Sequence, residues 1–409
     1  MSRVTKLVVL SVSVIVLCYV GLGYVLGKTS DDKTYRSLTV FSEVLQHIQQ
    51  DYVEEPNLPL VTSGALHGLL ESLDPQSSYL SPREYAEFKL KSRNGAKGEA
   101  GVTLSKRFGY IVVVAVLPDS PAQKAGLRYG DILEAIAGFT TREMSLGQAQ
   151  ILLAGDPGTA VKVAVVGRGR TEPREVELVR GAAALPPVLS EKPVPDIAYL
   201  RFSSLEPGKA NEIREKLQQF DKQGIHKLVV DLRDCARGEI SEAVATARLF
   251  LNSGTITTLR GQTVVRQEFT AEPAKVVWKY PMTVLISGST AGAAEVLAAG
   301  IGGNKRGELI GAHTFGNASE QKLIPLDDGA ALVLTVGNYY TAADKSILEE
   351  GVAPTVEVRI AREEQADIGE EEPPHLPSAE QPTPRAVAPE DQVLRKAIEL
   401  LKGEARKAA

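Results

Sequence analysis

The chain has 409 residues, 43% of them hydrophobic, and a formal net charge of −5. That length supports two or three globular domains with cores of their own. The mild acidity and the lack of a basic stripe argue against nucleic acid as a partner. Cys18 and Cys235, the two cysteines, make no disulfide framework, and five singly scattered histidines have no zinc-ligand spacing. No metal and no cofactor is expected.

Leu7 to Leu26 is an uncharged apolar run of bilayer-spanning length, with Arg3 and Lys6 before it and Lys28, Asp31, Asp32 and Lys33 after it. Tyr19, Tyr24 and Leu26 crowd its exit, and no small-residue cleavage pattern appears. Residues 1–30 therefore read as an uncleaved anchor rather than a cleaved signal peptide. The flanking charges place the N-terminus in the cytoplasm. A single-pass protein of a bacterial inner membrane is expected, with its bulk in the periplasm or outside the cell.

Residues 34–95 read as helical. Leu38, Phe41, Val44, Leu45 and Ile48 recur at helical spacing, and a second helix is expected from about Leu60 to Leu73. The run Leu73-Asp-Pro-Gln-Ser-Ser-Tyr-Leu-Ser-Pro-Arg-Glu-Tyr85 turns at Asp-Pro and Ser-Pro, with Ser81 capping a helix begun by Pro82.

In residues 96–182, Pro121 starts a short helix that Gly126 ends, and Gly130-Asp131 turns the chain into a strand holding Ile132, Leu133 and Ile136. Leu153-Ala-Gly-Asp-Pro-Gly-Thr159 ends a helix before the alternating strand of Val161, Val163 and Val165. The run Ser120-Pro-Ala-Gln-Lys-Ala-Gly-Leu-Arg-Tyr-Gly-Asp-Ile-Leu133, with Ile136 and Gly138, resembles a PDZ domain. The resemblance implies a groove that holds a partner's C-terminal carboxylate in a backbone nest while the peptide adds to a strand edge. The matching loop is Glu99, Ala100, Gly101, Val102, Thr103 and Leu104. Glu99 stands where that family usually has glycine, and an acidic side chain there repels a carboxylate unless it points outward. The competing reading is a PDZ fold that only packs on its neighbour.

Residues 183–360 alternate strands and helices. Ile197–Phe202, Lys227–Arg233 and Met282–Ile286 read as strands, and Ala210–Phe220 and Glu242–Asn252 as helices. Continuous apolar strands between helices imply an α/β layer with a partly parallel sheet. Residues 361–391 are acidic and Pro-rich, a linker. Residues 392–409 hold an amphipathic helix with Leu394, Ile398 and Leu401 on one face, read as docking to the body or, alternatively, as a partner site. The fold class is thus multidomain α/β: membrane helix, helical region, PDZ domain and protease-like core.

Ser287-Gly-Ser-Thr-Ala-Gly-Ala-Ala-Glu295, followed by Gly311-Ala-His-Thr-Phe-Gly-Asn-Ala-Ser-Glu-Gln321, resembles the catalytic core of the S41 C-terminal processing peptidases. That family reads S-A-S-A-S-E and then T-F-G-K-G-x-V-Q. Aligning on Glu295 and Thr314-Phe-Gly316 needs no gap. The segment 73–85 likewise resembles the family's L-D-P-H-S-x-Y-L-x-P-x-E-Y, and Lys345–Val358 resembles its closing strand.

The resemblance implies a Ser/Lys peptidase that cuts proteins near their C-termini, with PDZ engagement regulating access. The nucleophile position falls on Gly292, the general-base position on Asn317 and the orienting glutamine on Gln321. Glycine has no nucleophile, and an asparagine amide does not titrate in a usable range. The family's D-L-R-x-N-P-G-G loop is here Asp231-Leu-Arg-Asp-Cys-Ala-Arg-Gly238, so Cys235, Ala236 and Arg237 replace Asn, Pro and the first Gly beside the retained Gly238. Their loss puts the oxyanion geometry in doubt. The expected function is a pseudoprotease that binds polypeptide C-termini, unfolded proteins or an active protease, with a homo-oligomer among the expected forms. The alternative is an endopeptidase with displaced residues, drawn from Ser287, Ser289, Thr290, Ser319 and Lys322, or from Cys235 with His313.

Overall fold

The computed structural model describes residues 32–93, 98–107, 109–142, 144–182, 185–358 and 391–407, besides Val12, Val16 and Tyr19. The expected anchor over 7–26 and nearly all of the acidic linker lie outside these residues. Among the described residues no helix is long and apolar enough to cross a membrane. The chain divides into two units, Met1–Ala65 and Leu66–Ala409. The first contains the helix Asp32–Asp51, on which Leu38, Phe41 and Val44 are exposed.

A second helix runs Leu58–Glu71, two residues earlier than its periodicity predicts. The Asn57 side chain accepts the Leu60 N–H at 3.2 Å and fixes the start. The turn after this helix is built on Asp74, whose carboxylate accepts the N–H groups of Gln76 and Ser77, each at 2.8 Å. It leads into a short strand, β1 (Ser78–Leu80), inside the segment read as helical. Ser81 and Glu84 then cap each other across the start of the helix Pro82–Arg93.

The segment that resembles a PDZ domain contains β2 (Gly98–Glu99), β3 (Val102–Arg107), β4 (Tyr110–Val116), β5 (Ile132–Ile136), β6 (Phe139–Thr140), β7 (Ala160–Val166), β8 (Arg174–Val179) and β9 (Gly181–Ala182). Its main sheet runs β3-β4-β5-β7-β8, so β3 lies at an edge. Ser120 accepts the Gln123 N–H and starts the helix at Pro121, as the sequence pattern requires. Leu104, Ile111, Val113, Leu133, Ile136, Val163 and Val165 share one core with the helix Leu146–Leu153.

The remaining chain forms β10 (Leu189–Val194), β11 (Ile197–Arg201), the helix Lys209–Lys222, β12 (Leu228–Asp231) and the helix Ile240–Arg248. It continues through β13 (Thr255–Arg260), β14 (Gln267–Thr270), β15 (Met282–Ile286), the helix Ala293–Gly303, β16 (Glu308–Gly311), β17 (Ser319–Pro325), β18 (Ala331–Tyr340) and β19 (Val356–Glu357). One sheet has the order β10-β11-β12-β15-β16-β19, parallel from β11 onward. Period-two alternation sends Ala198, Leu200, Val230, Val284 and Ile286 to the face covered by the three helices. Ile197, Tyr199, Val229, Leu285 and Ile310 face the other way, against Val393, Ala397 and Leu401 of the last helix, Gln392–Lys407.

A second sheet joins β1, β18, β13 and β14, with β17 paired on β18. β1 pairs with residues 331–333, so the turn 74–77 is carried to the loop ahead of β17.

Candidate active site

β15 is buried at every residue, and its chain turns through Ser287–Gly292 into the helix Ala293–Gly303. Alanine and glycine let this helix pack tightly; a side chain at Gly300 would meet Ile256 at 3.0 Å. Gly292 caps the helix with φ 61° and ψ −119°, a conformation that side-chain-bearing residues rarely adopt. A Cβ built on it meets nothing within 4 Å. The turn is therefore open at the position that matches the family nucleophile.

Glu295 organises this turn. Its side chain is fully buried, and its Oε2 accepts the N–H of Gly292 at 2.8 Å and of Asn317 at 2.7 Å. Oε1 accepts from Thr314 Oγ1 at 2.5 Å and from the Gly316 N–H at 2.6 Å. Burial pushes the Glu295 pKa up, and these four donors oppose that shift.

The Asn317 side chain does not project into an empty cleft. Gln76 Nε2 donates to Asn317 Oδ1, and Gln321 Nε2 donates to the Gln76 carbonyl at 3.1 Å. The three positions around the matched base are amides, none of which carries a titratable group. A cavity of about 220 Å³ beside them is lined by Pro75, Gln76, Ser105, Arg107, Phe315 and Asn317, among others. Arg107, from the PDZ strand β3, donates to the Phe315 carbonyl at 2.5 Å and stacks over that ring at 4.3 Å. Lys106 also lines this cavity, but its Nζ bonds the Glu71 carboxylate at 2.6 Å and the carbonyls of Arg142 and Met144. Those three acceptors engage its three N–H donors.

Of the displaced groups considered from sequence, the hydroxyls of Ser287, Ser289 and Thr290 are engaged and the Cys235 thiol is buried. Thr290 Oγ1 donates to the Leu232 carbonyl at 2.9 Å, and Ser289 Oγ accepts the Asp234 N–H at 3.1 Å. Ser287 and Ser289 hydroxyls bond each other at 2.8 Å. Lys322 is exposed on β17. Cys235 is completely buried in the main core, and burial pushes its thiol far up, whereas His313 is exposed.

In the loop 231–238, the Cys235 N–H donates to the Leu232 carbonyl at 3.1 Å, and the Cys235 carbonyl accepts from Ala291 at 3.0 Å. Ala236 is half-buried. Gly238, the retained glycine, has φ 128° and lies so near Leu205 that a Cβ would come within 2.4 Å of its carbonyl carbon. Arg237 points to the PDZ domain: its Nη1 bonds both carboxylate oxygens of Glu99, at 2.8 and 2.9 Å. Glu99 is thus neutralised by an ion pair, an outcome different from the outward-pointing acid considered from sequence.

The PDZ groove is a cavity of about 330 Å³ between β3 and the helix Leu146–Leu153. Glu99, Ala100, Gly101, Val102, Thr103 and Leu104 line one side, and Gln150, Leu153 and Ala154 the other. Arg237 also lines it. The sequence analysis singled out Arg237 as part of the loop 231–238, not as part of this groove.

A PDZ domain joined to an α/β core, with a strand-to-helix turn and a following loop tied by one glutamate, defines the PDZ-bearing serine-peptidase architecture. Models of "Peptidase family S41" and of the "PDZ domain" match residues 196–358 and 112–167. The carboxy-terminal-processing protease of Bartonella bacilliformis is 31% identical, covering 80% of this chain and 76% of its own. The carboxy-terminal processing protease CtpA of Bacillus subtilis is 27% identical, covering 85% and 74%. The solved photosystem II D1 C-terminal processing protease has the same fold, with a TM-score of 0.66 at 24% identity over 78% of this chain and 92% of that one. The chain belongs to the S41 family of carboxyl-terminal-processing peptidases.

Proposed function

We infer that this protein is a pseudoprotease of the S41 family that binds polypeptide C-termini through its PDZ groove. The observation that carries this reading is the pairing of an intact scaffold with absent chemistry. Glu295 holds the turn and the loop in register. Gly292 supplies no nucleophile, and Asn317, Gln76 and Gln321 supply no base. The relatives are named as proteases, so what this chain keeps of their activity is recognition rather than cleavage.

The apolar run 7–26 supports an uncleaved single-pass anchor, with the PDZ domain and core in the periplasm or outside the cell. In that setting the partner is an unfolded protein, a protein tail or an active protease that shares such substrates. A homo-oligomer also fits.

The test incubates the full chain, purified in mild detergent, with an unstructured protein ending in an apolar tail. Retention of that protein with no cleavage product is expected. Accumulation of fragments with the wild-type chain refutes the reading.

A further inference from the structure

We propose that Arg237 of the protease-like core is a working part of the PDZ groove, where it sets selectivity for a free C-terminal carboxylate by neutralising Glu99. This rests on the reading of the groove as a site for polypeptide C-termini.

Two departures from the family pattern meet at this point. Glu99 and Arg237 each stand where the family has glycine, and they lie 138 positions apart in sequence. In the structure they form one ion pair, each about a quarter exposed. Among the described residues that line the groove, Arg237 is the one cation, and it comes from the core rather than from the PDZ segment.

A peptide added to the free edge of β3 runs between Val102, Leu104 and Leu153. These side chains suit a small apolar C-terminal residue. Its carboxylate ends beside the loop Glu99–Gly101, which is also where Arg237 stands. Both bonds to Glu99 leave from Nη1, while a guanidinium carries donors on three nitrogens. A second carboxylate is thus accommodated by the same side chain. Glu206 is the other acid near Arg237, with Oε1 3.9 Å from Nε. Removing Arg237 leaves Glu99 facing the incoming anion with its cationic partner gone.

The experiment measures fluorescence anisotropy of a labelled ten-residue peptide ending in Val-Ala-Ala, as free acid and as C-terminal amide, against the full chain in mild detergent. The wild type is expected to prefer the free acid at least tenfold. Arg237→Ala should weaken free-acid binding at least tenfold and leave amide binding unchanged, which also verifies that the groove is folded. Glu99→Gly/Arg237→Gly, which removes the acid together with its partner, should recover most of the free-acid affinity. Wild-type-like binding of the free acid by Arg237→Ala overturns the proposal alone. A wild type that binds neither peptide overturns the groove reading and this proposal with it.

Discussion

Gly292 and Asn317 are held to each other by one atom: Oε2 of Glu295 accepts the backbone N–H of both, at 2.8 and 2.7 Å. The positions that match nucleophile and base therefore stay in register although neither residue is chemically competent. The other oxygen binds Thr314, which in turn accepts the Val352 N–H at 2.7 Å, so the brace extends into the segment before β19.

Glu295→Gln is the direct test of that brace. Every partner of this carboxylate is a donor, so an amide presents its NH2 to two N–H or O–H groups in either orientation. Leaving buried donors unpaired costs about 1–3 kcal/mol each, which makes a total loss of roughly 2–5 kcal/mol reasonable. Chemical denaturation should register this as a lower midpoint. An unchanged midpoint shows that the turn and loop are held by other contacts.

Cys235 should be inert in the native protein. It is buried among core side chains, and burial raises its thiol pKa far above the working pH. Iodoacetamide followed by peptide mapping should leave Cys235 unmodified in the folded chain and modify it after denaturation. Rapid native labelling at Cys235 contradicts its placement in the core.

The C-terminal helix should come loose in acid. Arg233 bonds Asp391 through both terminal nitrogens, at 3.0 and 2.7 Å, and the Asp391 side chain caps the helix at Leu394. Burial raises the Asp391 pKa, but Arg233 and the backbone donors outweigh it and hold the carboxyl below its ordinary range. The stabilisation is then present above the unfolded carboxylate value, about 3.9, and fades as pH falls through the lower folded value. Hydrogen exchange over 393–401, corrected for intrinsic rates, should hold steady from pH 7 to 5 and lose protection below about pH 4. Asp391→Asn should lower protection between pH 5 and 7 and abolish the further loss below about pH 4. Protection lost as pH rises runs against this assignment.

Strands of continuous apolar sequence were legible because burial on both faces demands it; Met282–Ile286 is the strand in the structure as in the sequence. The PDZ helix start at Pro121 was legible from its cap. β1 was not, since three residues carry no period and its partners lie some 250 positions away. At the site, the ungapped match from Glu295 to Thr314 pointed to Gly292 and Asn317, which the structure brings together on Glu295, but not to what occupies the space around them. Gln76 joins Asn317 only because β1 pairs with β18. Its position in the Leu73–Tyr85 motif, where the family has histidine, was the available signal. The Glu99–Arg237 pair depends on how two domains meet, which local patterns do not encode.

The central claim is that the scaffold around Glu295 persists while the positions matching nucleophile and base, Gly292 and Asn317, carry no reacting group. A serine at 292 finds open space, at a cost of about 1–3 kcal/mol for its unusual backbone conformation. The decisive measurement is cleavage of an unstructured protein with an apolar C-terminal tail by the full chain, beside the Gly292→Ser/Asn317→Lys variant. No product from the wild type and measurable cleavage by the variant is the predicted result. Cleavage by the wild-type chain contradicts the account, and its persistence in Gly292→Val and Asn317→Ala assigns it to other residues.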